Sequence, residues 1–509
     1  MNPLMILSKC LRFVGAMAAT GVLVLAAGCG GSDNGGGGGG GNQGFNKTSL
    51  KGQYAFTLRG IGTPDTINSY FFVEGGVFTA DGNGNITSGT DDFVENFTAF
   101  SDSITGVYLI NPDGSGTIQF NFPGGGASLY QITMSDVNHF YMEEADGFGT
   151  SGGSGEKQDT TAFSAIPSGT FVYQAHDLVA GAARVGAMSW AGGNITGTGD
   201  TLVSGVLLSP VSISGTAEVP GTSSGRGVVS ITDDAGTSTY AYYVVSSSKI
   251  RFLCGDAGAL SIGQAEAQTG GPFSAASLSG NYAFGSAGET LNVQGIHSVG
   301  VFAADGGGNI TSGSFDTVQD GTPVTGMTLS GSVASTYTVA ASGRAVVTLN
   351  LSTGATNQKV MYLVSPSRAY FFVNDATNVE DGTLDKQSTT AFTNSSMKGQ
   401  YALFMDGFDN NQTLPYRDRV GTWTPDGSGN VSTSYLASGY LPSVPPLGST
   451  TVNNLSGTYS VPTNGRATAS VTGLSNNLLM YMVSANSGYI LQADDGVDIG
   501  GAFTIQTKP

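Results

Sequence analysis

The sequence predicts an all-β protein built from four tandem antiparallel β domains of about eight strands each. Three observations lead there. One phrase recurs at regular intervals: Asp305-Gly306-Gly307-Gly308-Asn309-Ile310-Thr311-Ser312-Gly313 returns as Asp81-Gly82-Asn83-Gly84-Asn85-Ile86-Thr87-Ser88-Gly89, as Asp426-Gly427-Ser428-Gly429-Asn430-Val431-Ser432, and in worn form as Gly192-Gly193-Asn194-Ile195-Thr196-Gly197. Gly, at 79 of 509 residues, is about twice its usual share of roughly 7%. Charged residues are only 11%, against about 25% in an ordinary soluble domain. Finally, short apolar runs end on Gly, Asn, Asp or Ser, and no sustained helical period is found.

Each unit opens with a Phe and then a Gly-x-aromatic strand. Phe45 leads to Gly52-Gln53-Tyr54-Ala55-Phe56, Phe163 to Gly169-Thr170-Phe171-Val172-Tyr173, Phe273 to Gly280-Asn281-Tyr282-Ala283-Phe284, and Phe392 to Gly399-Gln400-Tyr401-Ala402-Leu403. Self-similarity at this period marks repeated folding units. The repeats are therefore assigned to residues 45–162, 163–272, 273–391 and 392–509. Inside a unit the order is constant. A strand such as Val299-Gly300-Val301-Phe302 enters the opening phrase, and one like Gly457-Thr458-Tyr459-Ser460-Val461 follows it. The next turn reads Gly225-Arg226, Gly343-Arg344 or Gly465-Arg466, and Asp113-Gly114-Ser115-Gly116 in the first unit. Then come Tyr242-Tyr243-Val244-Val245, Met361-Tyr362-Leu363-Val364 and Met480-Tyr481-Met482-Val483, a strand ending on Asp146, Asp256, Asp375 or Asp494, and a closing Gly-x-x-x-x-Gln at Gln158, Gln268, Gln387 and Gln506.

Gaps of a few residues pair sequence neighbours as antiparallel hairpins. Eight such strands fold as a two-layer sandwich or close into an up-and-down barrel, which removes exposed edges. The barrel is the expected solution. The Gly-x-aromatic first strand resembles the opening of lipocalin- and avidin-like barrels, with Tyr or Phe where those families often have Trp. That resemblance covers a few residues per unit and carries over no ligand residues. Short linkers, such as 388–394, predict four adjacent domains in a row.

The amino terminus is not part of this fold. Lys9 and Arg12 precede an uncharged apolar run from Phe13 to Gly28, shorter than a spanning helix of about 20 residues. Residues 1–28 therefore read as a secretory signal peptide. The run ends Leu25-Ala26-Ala27-Gly28-Cys29, which resembles the lipobox of bacterial lipoproteins. The usual pattern has Leu three places before the Cys, where Ala26 stands. The resemblance implies cleavage before Cys29 and attachment of lipid to its thiol. Residues 29–44 then form a lipidated Cys and a Gly-rich tether that cannot bury a core. In that family an Asp directly after the Cys favours the inner membrane; Gly30 implies the outer membrane or cell surface.

Without Lys9 and Arg12 the chain carries 17 basic and 37 acidic residues, a net charge of −20, and has no Lys/Arg cluster. Nucleic acid is therefore not an expected partner. Cys254 is the one cysteine left in the repeats, so no disulfide framework is expected, and a buried free thiol is the reading of choice.

The recurrent phrase has a second reading. Asp81, Asn83, Asn85 and Asp92 fit places 1, 3, 5 and 12 of a calcium loop, and Asp305, Asn309 and Asp316 fit places 1, 5 and 12. But Ile86 and Ile310 occupy the place that requires Gly, and Ala437 stands at place 12 of the fourth unit. A hairpin turn explains the phrase better, so no metal is assigned. The Asp that ends the seventh strand reads as an Asx-type cap or a partner for the turn Arg, and the closing Gln as satisfied by backbone near the barrel mouth. His139, His176 and His297 fall at unequal places and share no metal-ligand spacing. Gly149-Thr150-Ser151-Gly152-Gly153 matches a nucleophile pattern but lacks its strand-to-helix turn. Glu143 and Glu144, adjacent in a strand, face opposite sides.

No catalytic residues or cofactors are assigned, and the chain is expected not to be an enzyme. The expected role is a lipid-anchored envelope protein, held to the membrane through Cys29 and displaying four β domains for adhesion, structure, or contact with extracellular protein or carbohydrate. The alternative is binding of a small molecule or carbohydrate inside the barrels, lined by aromatics such as Tyr282 and Phe284.

Overall fold

The computed structural model describes residues 44–509 except 63–69, 96–97, 148, 179–180, 235, 257–258, 292–293, 412–415, 435, 441–449 and 453. The signal peptide, Cys29 and all of the tether but Gly44 lie outside the described residues. The chain is all-β and forms four eight-stranded antiparallel barrels, each closed by pairing of its last strand with its first.

The second barrel is the plainest. Its eight strands run from Gly169–Asp177 to Ser261–Ala267 and pair strictly in sequence. The others add strands outside the ring of eight. In the first, Thr98–Ser103 lies against Asn85–Glu95; in the third, Thr322–Thr328 lies against Asn309–Gln319. In the fourth, the third place is shared by Asn430–Thr433 and Leu436–Tyr440, with Thr450–Val452 added beside the latter.

Alternation along each strand turns one set of side chains inward. Tyr54, Phe56 and Leu58 of the first strand join Phe78, Phe120, Tyr130 and Phe140 in one buried cluster. Tyr282 and Phe284 do the same with Phe302, Phe315 and Phe371 in the third barrel, where the Lys359 ammonium stands 4.1 Å from the Phe284 ring centre. The opening Phe of each barrel is buried in its core cluster beside a short 3-10 turn, which follows the Phe in the first, third and fourth units and contains Phe163 in the second. The turn glycine is needed there: at Gly343, with φ +91°, a Cβ would come within 3.1 Å of the Phe273 ring.

The expected row of domains is instead a ring. Each closing Gln reaches out of its own barrel. Its Nε2 donates to a backbone carbonyl of the next barrel: Gln158 to Val244 at 2.7 Å, Gln268 to Leu363 at 2.8 Å, and Gln387 to Met482 at 2.7 Å. Gln506, in the fourth barrel, donates to Met134 of the first at 2.7 Å. The neighbouring Thr507 N–H donates to Ser135 O at 2.8 Å. The backbone chemistry expected of the Gln holds, but across the joint, and the fourth joint brings the end of the chain onto the first barrel.

Three joints share a second device. Arg226 Nε and Nη2 each lie 2.7 Å from the Asp92 carboxylate, which also accepts Tyr243 Oη at 2.7 Å. Arg344 and Tyr362 hold Asp200 in the same way, and Arg466 and Tyr481 hold Asp316. Around each triad lies an apolar cluster drawn from both barrels, such as Val73 and Val77 against Tyr243 and Leu253. This explains the run Tyr242-Tyr243-Val244-Val245. Tyr242 and Val244 belong to the barrel core, Tyr243 and Val245 to the joint, so both faces are buried.

The joint between the fourth and first barrels is built differently. Ala437, Ser115 and Thr133 stand where the other joints have Asp, Arg and Tyr. All three are buried, and the Thr133 hydroxyl has no hydrogen-bond partner. Tyr141 instead stacks on Phe404, with ring centres 5.6 Å apart, and Ile61 meets Phe408 and Tyr416.

Candidate functional site at the ring centre

The first strands of the four barrels, with the strands that pair with them, surround the ring axis. They enclose a solvent-open cavity of about 390 Å³ to which every barrel contributes. Glycines bring the walls this close. At Gly382 a Cβ would lie 2.2 Å from Gly285 O, and the same position is Gly153, Gly263 and Gly501 in the other units. The closing Gly-x-x-x-x-Gln thus does two tasks: its Gly permits close strand pairing at the axis, and its Gln holds the next barrel.

Five residues beyond each opening aromatic, the four units diverge: Arg59, His176, Ala287 and Asp406 occupy equivalent strand positions on the cavity wall. Their charges are matched across the joints. Arg59 Nε and Nη2 lie 3.2 and 3.1 Å from Asp406 Oδ2. His176 lies between Asp381, 2.6 Å from its Nδ1, and Glu289, 2.8 Å from its Nε2. His297 has Asp498 2.8 Å from Nδ1 and Asp406 3.9 Å from Nε2. Arg251 reaches from the second barrel to Glu156, Thr57 and Ser154 of the first.

Burial alone would lower the pKa of His176, but Glu289 and Asp381 overcome it and raise the group to about 10. At His297 burial is likewise outweighed, by the carboxylates of Asp406 and Asp498, and the group rises to about 9. Despite burial, Arg59 and His297 hold Asp406 well below the usual carboxylate range. Asp418, on the neighbouring strand, goes the other way: burial and then Asp406 push it well above that range, and Thr150 Oγ1 donates to it at 2.7 Å.

The residues singled out in the sequence fall elsewhere. Asp81 closes its own turn, its Oδ1 accepting from the N–H of Asn83 at 2.6 Å and of Asn85 at 3.1 Å. Asp305 and Asp426 repeat this geometry. Asp92 and Asp316, which fit place 12 of the calcium-loop pattern, are the buried acids of the joints. The turn Arg is held by that Asp and not by the Asp ending the seventh strand. Of the latter set, Asp375 caps Thr377 in an Asx turn at 2.7 Å, and Asp256 accepts from Thr239 N at 2.8 Å. His139 lies near the surface with Asp136. Ser151 donates to Glu144 at 3.2 Å. Cys254 is a buried free thiol that burial pushes up to about 11. The interior of the second barrel holds a lined space of about 50 Å³ beside Trp190 and Tyr242.

Sequence reasoning passed over Arg59, Asp381 and Asp406 and set His176 and His297 aside for want of regular spacing. The available signal was the unlike set of residues at one repeat position.

No protein-family model and no curated protein matches the chain. Among solved structures, a point mutant of the vaccine antigen transferrin-binding protein B from Haemophilus parasuis Hp5 matches at 9% identity with a TM-score of 0.20, over 65% of this chain and 75% of that one. A TM-score of that size supports no transfer of fold detail or role, so the fold assignment rests on the chain's own strand pairing.

Proposed function

We propose that the chain is a lipid-anchored cell-envelope protein that displays a ring of four β barrels and works by binding or scaffolding, without catalysis. One observation carries this reading: a buried Asp-Arg-Tyr set at three joints and the closing Gln at all four are spent on holding the barrels to one another. Asp92, Asp200 and Asp316 with their Arg and Tyr partners, and the closing Gln residues, are all engaged at joints. A ring so fastened suits a platform.

The chain's geometry fits anchoring. Phe45 N donates to Pro112 O at 3.1 Å, so the tether leaves beside the turn on which Gln506 docks. The hairpin ends at Gly62 and Tyr70 lie at the other end of that barrel. A tether of about 15 residues reaches about 20 Å, which would hold the first face near the membrane and present the second. Outer-membrane or surface placement follows from Gly30 after Cys29.

Fractionation of cells expressing the wild type and Cys29→Ala tests the reading. The wild type should partition with membranes and be released by lipoprotein-specific lipase, and the variant should be soluble. Equal membrane association of both would overturn the anchor.

A further inference from the structure

We infer that the interior of the second barrel is a binding site for a small uncharged amphiphile, a short alkyl chain ending in an alcohol-type group, which enters by its apolar end. The inference goes beyond display of the ring and stands whether or not Cys29 carries lipid.

Access comes first. Tyr173, Ile231 and Tyr240 pack against the core of the second barrel, yet each is partly exposed. Their counterparts by strand register in the first barrel, Phe56, Phe120 and Tyr130, are fully buried, and so are Phe284, Leu349 and Lys359 in the third. The cause lies at the end of the barrel opposite Phe163. In the first barrel Thr105–Ile110 pairs with Ser115–Asn121 along its whole length. In the second, Val206–Ala217 pairs with Arg226–Asp233 over Ser214–Ala217 alone, so the wall parts beside Ile213 and Asp233. Phe122 and Leu351 pack onto the cores of the first and third barrels at the place where the second has Asp233.

Shape comes second. The space behind this opening is about 50 Å³, and Met188, Trp190, Val229, Ile250 and Phe252 are among its walls. An apolar cavity of about 150 Å³ takes benzene. Roughly a third of that volume excludes a ring and admits the end of an alkyl chain. Water gains little against such walls, because a buried water needs about two to four polar partners.

The mouth selects the other end of the ligand. Tyr173 and Tyr240 also line the space, and neither hydroxyl has a hydrogen-bond partner among the described residues. Each can donate and accept, as an alcohol does. Arg184 and Asp233 stand at the same rim, Arg184 Nε 3.8 Å from Asp233 Oδ2. A charged head group would meet both signs there while losing its own hydration.

Titration calorimetry and tryptophan emission, to which Trp190 contributes, test this on the chain from residue 44, which holds all four barrels and no lipid. The probes are 1-propanol, 1-butanol and 1-pentanol, with cyclohexanol and pentanoate as controls. 1-Pentanol should bind saturably with a Kd of about 5 mM or tighter, and affinity should rise about fourfold with each added CH₂. Cyclohexanol and pentanoate should bind about tenfold more weakly than 1-pentanol, or not at all. Ala175→Leu, which puts the first barrel's Leu58 into the space, should abolish binding while the melting temperature holds. Tyr240→Phe should weaken it about fivefold, the worth of one hydrogen bond. If Ala175→Leu fails to fold, Tyr240→Phe decides alone. No saturable binding of any alcohol, equal binding of cyclohexanol or pentanoate, or affinity unchanged in the variants would overturn the inference.

Discussion

The Tyr243 hydroxyl donates to Asp92 Oδ2 across 2.7 Å, although 151 residues separate the two in sequence. The bond joins the second barrel to the first, and Arg226 clamps the same carboxylate from outside. Tyr243→Phe removes one bond to a charged acceptor and should cost about 1–2 kcal/mol. Asp92→Ala strands both partners and should cost about 3 kcal/mol or more. Equilibrium denaturation measures both. Losses near zero would mean that the joint contributes nothing.

Stability should fall as the solution is made alkaline. His176 and His297 have folded pKa values of about 10 and about 9, above an unfolded value of about 6.5. A raised value means that the folded state holds the proton more tightly. The resulting stability is complete below about pH 6.5 and is lost as pH rises through 9 to 10. Carboxylates face both rings: Glu289 and Asp381 at His176, Asp406 and Asp498 at His297. Denaturation midpoints at pH 6, 8 and 10 should decline in the wild type and decline less in a His176→Gln, His297→Gln double variant. A flat wild-type profile would contradict the assignment.

Asp418 predicts the opposite kind of effect. Its folded pKa is raised by burial and by Asp406, so the folded state favours the protonated acid. Its ionisation penalises folding above the unfolded carboxylate range and not below it. Asp418→Asn keeps an acceptor for Thr150 and removes the charge. The melting temperature should rise at pH 8, with a much smaller gain near pH 4. Equal destabilisation at both pH values would show that packing at this site outweighs the charge.

The divergent joint can be rebuilt from its relatives. Ala437→Asp alone should destabilise by about 3 kcal/mol or more, because it buries an unpaired carboxylate. Adding Ser115→Arg and Thr133→Tyr should restore most of that loss by recreating the triad of the other joints. A mutant cycle in urea measures the coupling, and strict additivity would show that the fourth joint does not share their geometry.

Much of this was legible in the residues. The repeated phrase and the hairpin-length gaps carried the four barrels, because turn chemistry is local. The ring was not legible. The Gln at 158 reads the same whether it caps its own barrel or the next one, and only three-dimensional adjacency distinguishes the two. A trace of the ring was nevertheless present. Tyr242-Tyr243-Val244-Val245 is apolar on both faces, whereas its first-barrel counterpart Ile132-Thr133-Met134-Ser135 alternates, and that difference marks the joint built without the triad. The cavity residues were harder still. Arg59, His176 and Asp406 are unlike one another, so a search for repetition discards them, although a position where repeats disagree is where a single shared site can be built.

Small-angle X-ray scattering of residues 44–509 tests the closed ring most directly. A compact chain of this length has a radius of gyration of about 23 Å. The ring predicts a value close to that, with a single-peaked distance distribution, and a small increase when residues 506–509, which carry the Gln506 clasp, are removed. A radius above about 30 Å, as expected for four barrels in a row, would contradict the ring and with it the central cavity.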